Sequence, residues 1–196
     1  MARGPEKQFD PEEALKKAMK LFWAQGYAAT GMAELQSAMG IGRKSLYDTF
    51  GNKRQLFIKA LQLYSDTFVK QLRDDLTKEG SALENIRGVM RQLESANCRA
   101  GSFGCLFGVS MAQFTTEDAE MATILRGHMK GLEQGFYDAL KRAQDDDEIS
   151  DRVSARDLAR LFMSTTQGLA LVGRVVETAA IPKSIVKAAL SVLEAA

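Results

Sequence analysis

Thr30-Gly-Met-Ala-Glu-Leu-Gln-Ser-Ala-Met-Gly-Ile-Gly-Arg-Lys-Ser-Leu-Tyr-Asp-Thr-Phe50 is the stretch that decides how this chain folds. It reads as two short helices broken at Met39-Gly40-Ile41, where a glycine adopts the positive φ that a sharp break demands. Helices this short are unstable alone. Their apolar residues, Met32, Leu35, Ile41, Leu46 and Phe50, therefore have to dock on a third helix. Upstream, Asp10-Pro11-Glu12-Glu13 supplies an N-cap, a proline at the first helical position and an acid at the third. Leu15, Leu21, Phe22 and Trp23 follow on that helix, and Gly26 ends it. With the apolar side docked, the second short helix presents Arg43, Lys44, Ser45, Tyr47 and Asp48, a basic, hydrogen-bonding surface suited to a DNA major groove.

Outward from this unit the pattern stays helical. No strand-like alternation persists, and capping boxes recur at Ser81-x-x-Glu84, Thr115-x-x-Asp118 and Ser154-x-x-Asp157. The spacing predicts helices over 10–25, 31–38, 42–48, 52–78, 82–97, 103–114, 116–144, 155–178 and 182–195. The fold class is all-α. A helix-turn-helix at about 30–49 lies within an N-terminal domain, 1–51, and a larger helical domain occupies 52–196.

Composition fits this reading. Of 196 residues, 45% are apolar and 26% charged, and no apolar run approaches the ~20 residues that span a bilayer. The N-terminus has no apolar signal core, so a cytoplasmic location is expected. The net charge of +1 hides a gradient. Residues 1–60 carry ten Lys/Arg against six Asp/Glu, and the remainder sixteen against nineteen. A basic end on an acidic body suits a polyanion partner at that end. Cys98 and Cys105 are too few for a disulfide framework or a metal quartet. No metal or cofactor is expected. There is no P-loop or Gly-x-Gly-x-x-Gly, and Leu125 stands three before the lone His128, where a helical di-iron site needs Glu. The acidic run Asp145–Glu148 reads as a solvated loop.

The stretch resembles the N-terminal domain of the tetracycline-repressor (TetR/AcrR) family over roughly residues 10–60. The resemblance rests on Phe22, Gly26-Tyr27, Thr30, Leu35, Gly40-Ile41, Leu46-Tyr47, Phe50, Lys53 and Leu56-Phe57 in order and spacing. It implies that Thr30, capping the second helix, approaches a phosphate, that Tyr47 and Lys53 hold phosphates, and that Arg43, Lys44, Ser45 and Asp48 face the groove. Arg43 is placed to grip guanine. Arg3 and Lys7 would add contacts from the N-terminal arm. Gly42, Lys44, Gln36 and Asp48 depart from the family's usual residues, so operator preference does not carry over. The plain alternatives are that Tyr47 and Phe50 are core aromatics, the better reading for Phe50, and that Lys53 is a solvated charge.

In the larger domain, Phe107, Met111 and Phe114, then His128 and Phe136, then Phe162 and Gln167, fall at helical spacing. Such stripes are core or pocket wall. The resemblance favours a pocket for a small apolar effector. Gly104-Cys105-Leu106-Phe107-Gly108 resembles a motif of a subgroup that includes electrophile- and oxidant-sensing repressors. There the matching cysteine reacts, the glycines would leave the thiol uncrowded, and Arg99 would help ionise it. The competing reading makes Cys105 a small buried hydrophobe. The last two helices, apolar on more than one face, are expected to form a homodimer through about 155–195, with Leu169 and Val172 in the seam. The function implied is a ligand-responsive repressor on a palindromic double-stranded operator. The rivals are an activator of the same family, or an all-helical enzyme or carrier with an N-terminal interaction module.

Overall fold

The computed structural model describes residues 9–98 and 101–194, and among them there is no strand. The expected roles of Arg3, Lys7 and Arg99 lie outside the described residues. The chain forms two compact units, one ending at Thr67 and the other beginning at Phe68.

The first unit holds α1 (Pro11–Gln25), α2 (Met32–Met39), α3 (Arg43–Phe50) and α4 (Lys53–Tyr64). Asp10 caps α1, its carboxylate accepting from the Glu12 N–H at 2.8 Å. Gly40 is left-handed, φ 69°, and donates to Gln36 and Ser37, which closes α2 and turns the chain into α3. Leu35, Ile41, Leu46 and Phe50 are buried as the pattern demanded. They close over Phe22 of α1 and Phe57 of α4, whose ring centroids lie 4.9 Å apart edge to face. Fully burying residues such as Phe22, Leu35, Leu46 and Phe57 stabilises the unit by roughly 1.5–3 kcal/mol each. The division expected at 51/52 put α4 with the larger domain. Instead α4 packs along α1, and the compact unit extends to Thr67.

Beyond α4 the helix does not run unbroken to 78. Ser65–Val69 is a π-helical turn, and α5 (Lys70–Leu76) resumes after it. Thr67 Oγ1 bonds back to the Leu63 carbonyl at 2.8 Å, a competing bond of the kind that bends helices.

The second unit adds α6 (Ala82–Asn97), α7 (Leu106–Met111), α8 (Ala119–Asp145), α9 (Ala155–Val172) and α10 (Ala180–Glu194). Its core joins α6, α8, α9 and α10 around Phe136, Phe162, Met90 and Leu169. Ser81 and Ser154 cap α6 and α9 as expected. Asp118, and not Thr115, caps α8, so that helix starts at Ala119 and not at 116. Glu148, from the acidic run, accepts from the Leu83 N–H at 2.7 Å, next to the start of α6. α7 is half its expected length. Gly104 has φ 67°, and a β-carbon there would overlap the Ala170 carbonyl oxygen of α9, so the chain before Cys105 is pressed against α9 in a non-helical shape. Leu169 is fully buried inside the unit. The exposed stripe of α9 is Leu161, Ser164, Gly168 and Leu171, continued by Val175 beyond its end. No described helix is long and apolar enough to cross a membrane.

Candidate nucleic-acid interface

The hydrophobic anchoring of α3 fixes what its other side shows. With Leu46 and Phe50 inward, Arg43, Lys44, Tyr47 and Asp48 are exposed and Ser45 is half-buried. The Arg43 guanidinium lies 5.8 Å from the Tyr47 ring one turn on, so the two side chains share one edge of the helix. Gly42 is the N-cap and supplies no side-chain bond, though a β-carbon there would meet nothing within 4 Å. The first amides of α3 thus lack a side-chain acceptor from the N-cap. At the other end Lys59 Nζ donates to the Thr49 carbonyl at 3.2 Å, satisfying a C-terminal carbonyl and opposing the negative end of the helix.

Thr30 is placed differently from its expected role. It is fully buried, and its hydroxyl donates to the Gly26 carbonyl at 2.7 Å. Gly31 is the N-cap of α2, and the Glu34 carboxylate folds back to accept from the Gly31 N–H at 2.9 Å. An anionic side chain therefore already occupies the positive end of α2, where the phosphate was expected. Lys53 is neither free nor simply solvated. Its ammonium sits 4.5 Å from the Tyr27 ring centroid and 3.4 Å from the Ala28 carbonyl, so the cation is held beside the α1–α2 turn. Sequence reasoning missed Glu34, Lys59 and the Tyr27–Lys53 contact. Only Glu34 left a signal, the Gly31-x-x-Glu34 spacing of a capping box.

The residues expected around an effector divide. Phe107 on α7 stacks on His128 of α8 with centroids 3.9 Å apart and planes 3° from parallel. Burial lowers the His128 pKa to about 4, so the imidazole is neutral near pH 7. Gln167 of α9 faces Gly108, where a β-carbon would lie 2.9 Å from Gln167 Oε1 and 3.5 Å from the Cys105 Cβ. Cys105 is half-buried at the N-cap of α7 and carries a free thiol. The glycines flanking it chiefly allow α7 to approach α9, and Gly108 also keeps a side chain off Cys105. Met111 and Phe114 are half-buried. Phe136 and Phe162 belong elsewhere. Both are fully buried, 5.7 Å apart, in the core of the unit.

Residues 14–60 match the family model described as bacterial regulatory proteins, tetR family. Over 193 residues the chain is 30% identical to the uncharacterized HTH-type transcriptional regulator YezE of Bacillus subtilis (strain 168), covering 97% of this chain and all of that one. It is also 30% identical to the HTH-type transcriptional repressor ComR of Escherichia coli (strain K12) over 177 residues, 88% of this chain and 83% of that one. Among solved structures it is similar to a cysteine mutant of the TetR family transcriptional regulator CifR complexed with 26-bp double-strand operator DNA. That match has a TM-score of 0.86 and 26% identity, and covers 97% of this chain and 100% of the other.

Proposed function

The chain belongs to the tetR family of bacterial regulatory proteins and is a DNA-binding transcriptional regulator, not an enzyme; on that premise we propose that it is a homodimeric repressor released from a palindromic operator by a small effector. The observation that carries the DNA-reading part is α3: two buried anchors, Leu46 and Phe50, hold Arg43, Lys44, Tyr47 and Asp48 outward on a single short helix. In the operator-bound state two such helices enter successive major grooves about 34 Å apart, one helical turn. Arg43 reads a base edge, Lys44 and Ser45 assist it, and Tyr47 and Lys53 hold phosphates. Asp48 accepts from a cytosine amino group, a carboxylate being able to take only a base-edge donor. Thr30 acts from within, by fixing the turn before α2.

Dimerisation is supported by the exposed stripe Leu161, Ser164, Gly168 and Leu171 on α9 and by exposed Ile181, Ala188 and Val192 on α10. Small residues at 164, 168 and 188 permit close approach of a second copy, and a two-fold protein matches a palindrome. Repression, in place of activation, is favoured by ComR, a relative that bears that name. The effector reading rests on the α7–α9 region, with Cys105 as the point where an electrophile would react. In that case a maleimide releases operator DNA from the wild type and leaves the Cys105→Ser variant bound; equal release from both would show that the thiol is not the sensor.

A gel-shift of the full chain on its own upstream DNA, repeated across salt concentrations, tests the central reading. The expected result is a discrete complex whose affinity falls steeply with salt. Absence of any discrete complex with upstream DNA, together with unchanged transcription on deleting the gene, would refute it.

A further inference from the structure

Buried polar atoms in folded proteins are nearly always hydrogen-bonded. In the second unit the side chains that break that rule include three on the two helices against which α7 packs. Both ring nitrogens of His128 on α8, and Thr166 Oγ1 and Gln167 Oε1 on α9, are buried without a partner. Thr166 and Gln167 are only 5% and 9% exposed. Threonine and serine inside helices usually satisfy their hydroxyl on the carbonyl one turn back, as Ser110 does on Leu106 at 2.7 Å and Thr123 on Ala119 at 2.8 Å. Thr166 does not.

α7 packs against both α8 and α9, and these groups have no hydrogen-bond partner on it. Phe107 lays ring carbon on His128. Gly108 puts no side chain before Gln167, and any other residue there would press on the Gln167 carbonyl oxygen at 2.9 Å. The glycine therefore leaves space beside an unpaired acceptor. A stability-driven sequence would place methionine or valine at these positions. Orphaned polar groups retained in a packed unit mark a functional constraint.

We infer that these groups recognise a small, uncharged, planar molecule bearing an O–H or N–H, an aromatic alcohol or amide in chemical class. The inference rests on the reading that the α7–α9 region holds the effector. The ligand ring takes the place of Phe107 against the His128 imidazole, and its donor meets Gln167 Oε1. The donor is required because a carbonyl oxygen only accepts. The ligand is uncharged because an amide, a hydroxyl and a neutral imidazole supply no formal charge to balance an ion, and a carboxylate has no proton to offer Gln167. His128 and Thr166 each carry one further donor and acceptor for the remaining polar atoms of the ligand.

The test uses the full chain with phenol, toluene and benzoate as probes, read by calorimetry and by the shift in Tm. Phenol is expected to bind about tenfold more tightly than toluene, the worth of one well-made buried hydrogen bond, and more tightly than benzoate. Gln167→Met keeps the volume and removes the acceptor. It should raise the ligand-free Tm by about 3 °C and erase the preference for phenol over toluene. Thr166→Val provides a second variant should the first fold poorly, and is expected to reduce the preference. The inference is overturned if no probe binds the wild type, if toluene or benzoate binds as well as phenol, or if the preference survives in both variants. Operator binding by the wild type is measured without probes. Its loss would refute the regulator reading and leave the probe comparison intact.

Discussion

Arg43 and Lys53 are both cations of the first unit, and their surroundings assign them different work. Arg43 stands exposed at the start of α3 beside Tyr47, which suits the base-reading role proposed for it. Lys53 is tethered over Tyr27 and the Ala28 carbonyl, which suits the phosphate-holding role proposed for it. Arg43→Ala is expected to cost about 1–3 kcal/mol, concentrated at one base pair of each half-site. Lys53→Ala should weaken every sequence alike and reduce the salt slope by about one. Fluorescence anisotropy on a set of single-substituted operators separates the two, and a uniform loss for Arg43→Ala would move it to the backbone. His128 gives a second prediction. Its pKa falls from an ordinary 6.5 to about 4 on folding, so above pH 6.5 neither state gains a proton and stability is unaffected. Between pH 6.5 and 4 the unfolded chain takes a proton that the folded one refuses, and stability falls as pH drops, levelling at a loss of ~3 kcal/mol. The Tm of wild type should therefore drop between pH 7.5 and 5 by about 4–8 °C more than that of His128→Phe; equal drops would show that the imidazole titrates normally. The exposed face of α3 was legible in the sequence because anchors and outward residues alternate at helical spacing. The fate of Thr30 was not, since it turns on which of two adjacent residues caps α2, and that is decided by the reach of the Glu34 carboxylate.

At the scale of elements, capping chemistry spoke clearly and tertiary contact did not. Asp10, Ser81 and Ser154 start their helices where the pattern put them. The stretch 103–114 has helical spacing throughout, yet only Leu106–Met111 is α-helical, because Gly104 is committed to α9 before the helix begins. An apolar stripe cannot tell a core wall from a pocket wall: Phe136 and Phe162 fall at the same helical spacing as Phe107 and His128, and the structure puts them in the core cluster of the unit. Gly104 is the most constrained residue in that region, combining a positive φ with a close approach to backbone. Gly104→Ala should destabilise the second unit by about 1–3 kcal/mol and loosen α7. Chemical denaturation reads the stability, and the Trp23 signal from the first unit provides an internal control. An unchanged midpoint would mean that the α7–α9 approach contributes little.

For the molecule as a whole, the charge gradient and the all-helical pattern foretold a basic reading unit on an acidic helical body. The stripe proposed for the dimer seam was only half legible. Periodicity showed α9 apolar on more than one face, but could not say which stripe the protomer keeps for itself. Leu169 is taken by the core, so a charge there would test folding instead of assembly. Leu171 is exposed, and Leu171→Glu is expected to yield folded monomers with operator affinity at least tenfold weaker, since each half-site must then bind alone. Light scattering that still reports a dimer for Leu171→Glu would place the seam elsewhere.

The π turn at Ser65–Val69 carries a historical implication. A helix that gains one residue while both of its flanks stay seated stores the surplus as a single wide turn. Deleting one residue there restores an ordinary helix, and the positions on either side keep the faces they already present. Residues 65–69 are thus where this helical run tolerates a change of length. Related chains that differ by one residue between Phe57 and Ile86 are expected to differ within this turn, with those lacking the residue showing an unbroken α-helix.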